Sequence, residues 1–102
     1  MTITDITPGS VYTNGNGRFR VVTGTITGSG WSDVRYVATY QNTKGMMKPT
    51  IIGIDRCRPA CLASWSEREA TPAEIRAVIA VAELTDTELS AVRSRLKVLE
   101  NE

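Results

Sequence analysis

The chain contains no histidine, and that absence removes more chemistry than any motif in the sequence adds. Without imidazole there is no ordinary neutral-pH general base, no Ser-His or Cys-His nucleophile pair and no His-containing zinc site. Only two cysteines occur, Cys57 and Cys61. A C-x3-C pair without a second pair cannot by itself close a four-ligand zinc site, so no metal is expected. In an intracellular setting the thiols read as free, small, buried apolar groups. No apolar run approaches the ~18 residues a membrane span needs. The start MTITDITPGS lacks the cationic and apolar regions of a signal peptide. These absences predict a soluble cytoplasmic protein without a membrane partner. The stretch GTITGSG carries glycine spacings used for phosphates, but it is flanked by strand patterns and no helix N-terminus or G-K-[ST] follows. Asp33 and Asp55 are separated by loops. No catalytic group and no cofactor are expected, and an enzyme is disfavoured.

What is present is ordinary globular material. With 102 residues, 41% apolar and 23% charged, the chain suffices for one domain with one modest core. The net charge of +1 hides a division near Trp65. Residues 1–66 carry seven Lys/Arg against three acids, for +4, whereas residues 67–102 carry five against eight, for −3. The basic half predicts an acidic partner, unless the two halves attract each other.

Along the first half the pattern is that of strands. Pro8-Gly9 suits a turn, SVYT a strand, and NGNG at 14–17 a hairpin reversal. RFRVVTGTIT (18–27) and DVRYVATYQN (33–42) each alternate apolar and polar positions. Joined through GSG at 28–30, a regular ladder pairs Phe19 with Thr39 and mixes the faces. A one-residue bulge at Gly24 instead pairs Phe19 with Tyr40, Val21 with Ala38 and Thr23 with Tyr36. The bulge would bend the sheet toward a small barrel. TKGMMKP (43–49) reads as a polar connection and TIIGID (50–55) as a short strand. After Pro59, a short helix would place Cys61, Leu62 and Trp65 on one side and close the barrel.

The second half changes period. Thr71 with Glu74, and Thr85 with Glu88, are capping-box pairs that open two helices. Leu89, Val92, Leu96 and Leu99 form a narrow apolar seam suited to a helical hairpin or to a homodimer through the C-terminal helices. The fold class expected is α+β, one domain over 1–102: a curled antiparallel sheet or β-barrel with a closing helix at 8–66, then a helical hairpin at 71–100.

In the bulged register Arg18, Arg20 and Arg35 share an outward face with Val22, Val37 and Thr39, and Arg56 and Arg58 extend it. Guanidinium groups amid apolar surface suit clamping of phosphate or carboxylate. Aromatic interleaving of the kind a single-strand binder uses is not expected, because Tyr36 and Tyr40 would face inward.

Taken together, PGSVY, NGNG, FRVV, VRYVATY and RCRPACLASW resemble the small SH3-like barrel proteins of bacteriophages and prophages, over about residues 8–66. The resemblance implies an SH3-like barrel and a non-catalytic module in the host bacterial cytoplasm. Such a module holds a host protein or ribonucleoprotein complex, as anti-CRISPR inhibitors do. The alternatives are a nucleic-acid-binding regulator using the basic face and a virion assembly component.

Overall fold

The computed structural model describes residues 7–50 and 56–102. Their order is β1 (Val11–Thr13), β2 (Arg18–Gly28), β3 (Trp31–Gln41), β4 (Met47–Pro49), β5 (Arg56–Cys57), α1 (Pro59–Trp65), β6 (Arg68–Glu69), α2 (Pro72–Val81) and α3 (Asp86–Glu100). The protein is α+β: one antiparallel sheet followed by C-terminal helices. The strands run β4-β3-β2-β1-β6, with β5 also paired to β3, so the sheet is open among the described residues. Closure into a barrel is not seen. The strand expected over 50–55 lies outside the described residues except for Thr50, whose N–H donates to the Ala38 carbonyl at 3.0 Å. The connection expected at 43–49 instead contains β4, with Tyr40 opposite Lys48 and Thr39 opposite Pro49.

The turns follow their residues. Gly15 and Gly17 carry the positive φ values that let β1 fold back onto β2. The β2–β3 turn is tighter than GSG, because Gly28 pairs with Trp31 and only Ser29 and Gly30 lie between. That two-residue turn offsets the ladder from its first rung. The bulge then falls between Val22 and Gly24, close to where the sequence puts it, and shifts the pairing the other way. Phe19 ends opposite Thr39, Val21 opposite Val37 and Val22 opposite Tyr36. The inferred pairing of Phe19 with Tyr40 is therefore corrected by one residue. Since side chains alternate along a strand, one residue changes every face assignment. Phe19 and Tyr36 lie on opposite sides of the sheet.

Both sides are covered, which resolves the mixed pattern of RFRVV. One face carries Val11, Phe19 and Val21 against Ile75 and Val78 of α2 and Val92 of α3. The other carries Tyr12, Val22 and Val34 against Leu62 of α1, with Cys57 and Trp65 at the margin. Each fully buried aliphatic side chain in these two clusters contributes about 1.5–3 kcal/mol relative to exposure.

The caps form as the sequence predicts. In α2 the Thr71 hydroxyl accepts from the Glu74 N–H while Glu74 accepts from the Thr71 N–H, and Thr85 with Glu88 repeats this in α3. Arg76 of α2 pairs with Glu100 at the far end of α3, so the helices run antiparallel as a hairpin. Most of the seam packs inside the molecule. Val92 is 0% exposed, and Leu96 and Leu99 pack on the core that includes Phe19 and Val21. Leu89 is half-buried. Three of the four residues from which a homodimer interface was inferred thus pack against the apolar face of β1 and β2 within one chain.

Candidate partner-binding face

The register fixes what the sheet presents on its α1 side. Arg18 stands opposite Tyr40, and Tyr40 opposite Lys48, so these three form a row across β2, β3 and β4. Two residues along β2, Arg20 stands opposite Ala38. Side chains directly opposite each other share a face. This face is therefore basic and aromatic together, the reverse of the inward-facing tyrosines inferred from the alternation.

Arg20 is the centre of the arrangement. Its guanidinium carbon lies 4.4 Å from the centroid of the Tyr36 ring and 4.1 Å from that of Trp65. A cation held over two ring faces is attracted by the quadrupoles of both and loses the freedom to swing away. Burying the stem while the charged head stays near water resolves the conflict of an arginine between Phe19 and Val21 on a covered strand. Beside it is a shallow groove of about 160 Å³ that includes Arg18, Ala38 and Thr50. That is smaller than the ~300–1,000 Å³ of small-molecule pockets, so it suits part of a larger ligand.

Arg18, Arg20 and Lys48 have no carboxylate within ion-pair distance among the described residues. The four ion pairs found there lie elsewhere: Arg56–Asp33, Arg68–Glu74, Arg76–Glu100 and Arg95–Glu69. None joins the basic half to the acidic half. Three lie wholly within the acidic half, so among the described residues no ion pair spends the positive charge of the first half on the second.

The five arginines inferred to bind a partner do not stay together. Arg18 and Arg20 share the face described. Arg35 is the Cα partner of Arg56, and strand alternation turns Arg35 to the side opposite Tyr36. There the Arg56 Nε lies 3.6 Å from Asp33 Oδ2, which offsets part of that charge. Arg58 is exposed at the N-cap of α1 and makes no side-chain capping bond. Sequence reasoning missed Tyr40, Lys48 and the ring pair around Arg20. The available signal was the combination of a two-residue Ser-Gly turn, the commonest hairpin length, with a bulge whose extra residue lies on β2, which together turn the tyrosines to the side of Arg18 and Arg20.

The cysteines differ from each other. Cys57 is half-buried and Cys61 exposed, both free, so the reading of two buried thiols is corrected. Burial pushes the Cys57 thiol above its ordinary pKa, and the Arg20 charge pulls the other way. Arg20 Nη1 lies 3.9 Å from Cys57 Sγ, the sulfur accepting a weak hydrogen bond. Among the described residues no three metal-ligating side chains cluster, and no helix is long and apolar enough to cross a membrane. Trp65, placed by the sequence on the side of α1 that closes the sheet, is half-buried beside Arg20.

No family model, no curated protein and no solved structure matches the chain.

Proposed function

We propose that the protein works by binding and not by catalysis, docking the sheet face of Arg18, Arg20, Tyr40 and Lys48 against an anionic surface of a macromolecular complex. The phage-type resemblance supports a host complex as the target and obstruction as the outcome. The observation that carries the reading is the three cations on one face without a carboxylate partner among the described residues. Cations displayed on a sheet without an ion-pair partner among the described residues steer the approach of an anion, and Arg20, held by its two rings, pays little ordering entropy on meeting it.

Elution from immobilised heparin, a generic polyanion, tests the face. Arg18→Glu/Lys48→Glu and Arg35→Glu/Arg56→Glu change the net charge equally but on opposite sides of the sheet. The first variant should elute at much lower salt than the parent protein, and the second close to it. Equal loss in both variants would leave only net charge, and no retention of the parent would remove the reading.

A further inference from the structure

We infer that the anionic partner of this face is single-stranded nucleic acid, with a base stacked on Tyr40 and its flanking phosphates held by Arg18, Arg20 and Lys48. The inference rests on the binding reading above and adds the ligand class. Its distinguishing observation is the ring. Tyr40 is 38% exposed although it is a large apolar residue, and it sits between Arg18 and Lys48 in the same row. Clamping a carboxylate needs no exposed aromatic surface between the cations. Stacking a base does, and each base offers the same flat face to a ring regardless of sequence.

Spacing agrees with this occupant. Arg18 and Arg20 are two residues apart on an extended strand, about 7 Å, and Arg18 and Lys48 are two strands apart, about 10 Å. An extended sugar-phosphate chain presents successive charges on that scale while its bases turn to one side. Arg20, gripped by Tyr36 and Trp65, is a fixed donor that phosphate can approach from the open groove beside it. A duplex fits poorly because its bases are stacked on one another and hide their faces from Tyr40. Reading a groove takes a projecting helix or ribbon, and this patch lies on the face of a sheet across β2, β3 and β4.

Fluorescence anisotropy with labelled dT12 and U12, a 12-base-pair duplex and heparin decides the matter. The single strands should bind more tightly than the duplex, and comparison of dT12 with U12 separates DNA from RNA as the source. With three phosphates neutralised, log K should fall against log salt with a slope of about −2, from about 0.7 per phosphate for single strands. Tyr40→Ala should weaken dT12 binding about five- to 150-fold, the range carried by one stacked base, and Tyr40→Phe should keep it. Should Tyr40→Ala fold poorly, Trp65 emission reports instead. In a Trp31→Phe background Trp65 is the one remaining tryptophan, and it should respond to dT12 through its contact with Arg20. Duplex binding equal to or tighter than single strands would overturn the inference. So would a folded Tyr40→Ala that binds dT12 like the parent, or a Trp65 signal that heparin moves and dT12 does not. These last outcomes leave the general anionic reading standing, whereas silence toward both heparin and dT12 removes it too.

Discussion

The Arg20 guanidinium carbon lies 4.1 Å above the Trp65 ring centroid while the opposite ring, Tyr36, lies 4.4 Å away. This contact ties β2 to α1 and also sets the orientation of the central cation on the exposed face. Cation–π pairs contribute about 0.5–2 kcal/mol according to how far they are desolvated. Lysine keeps the charge but cannot lie flat between two rings. We expect Arg20→Lys to destabilise the fold by about 1 kcal/mol in urea melts. A double-mutant cycle with Trp65→Phe should give a coupling of about 0.5–1.5 kcal/mol. A coupling of zero would mean that the three groups are neighbours without interacting.

Gly9 holds a different junction. Its φ is 98°, and a Cβ there would sit 2.4 Å from the Ala91 carbonyl oxygen of α3. The Pro8-Gly9 turn thus presses its backbone against α3, and two penalties coincide in any side chain placed there. Gly30 at the β2–β3 turn has φ 76° but open space around it. Gly30→Ala should cost only the conformational term, about 1–2 kcal/mol. Gly9→Ala should cost clearly more, above about 2 kcal/mol, since backbone cannot retreat as a side-chain tip does. Equal losses in thermal melts would show that the turn does not need its close approach to α3.

Local signals carried the second half of the chain and part of the first. The capping pairs at Thr71 and Thr85 act over three residues and are legible without any partner, and both form. Glycine at 15, 17 and 30 likewise declares a turn by its own conformational freedom. The faces of β2 and β3 were not legible in that way, because alternation identifies two sides but not which side meets which helix. That choice depended on the length of the turn together with which strand carries the extra residue of the bulge, differences worth little locally and decisive globally. The site inherited the error. Arg18 and Arg20 were legible as a patch, but their companions Tyr40 and Lys48 come from other strands and become neighbours only once the register is known. The leucine seam of α3 was equally ambiguous, since the same 3-4 spacing serves an intramolecular core and a dimer.

Val92 takes part in the first of those uses. It is 0% exposed within a single chain, packed among Phe19, Val21, Ile75 and Val78. Val92→Ala should destabilise the protein by about 1–3 kcal/mol through lost burial and a residual cavity. Leu89→Ala, at a half-buried position, should cost less. Because the seam closes within the chain, the urea midpoint should not change with protein concentration. A midpoint that rises with concentration would place the seam between two molecules.

Glu74 links the α2 cap to β6 and gives the fold a defined acid limit. Its Oε1 accepts from Arg68 Nη1 at 2.6 Å and from the Thr71 N–H at 2.9 Å, and its Oε2 accepts from Arg68 Nη2 at 3.0 Å. The hydrogen bonds from Arg68, opposed in part by burial, bring the carboxyl down from 4.5 to about 2. A folded pKa below the unfolded one means that the unfolded chain takes up the proton first. The stabilisation is therefore complete above about pH 4.5 and disappears as the pH falls toward 2. Both side chains are partly open to water, at 46% and 28%, so screening limits the pair to about 1 kcal/mol. Glu74→Gln separates the two roles, because a glutamine oxygen can still accept from the Thr71 N–H. Urea midpoints between pH 7 and pH 2.5 should converge for the parent and Glu74→Gln at the acid end and diverge above pH 4.5, with the parent the more stable. Parallel curves at all pH values would show that Arg68 adds nothing beyond the cap.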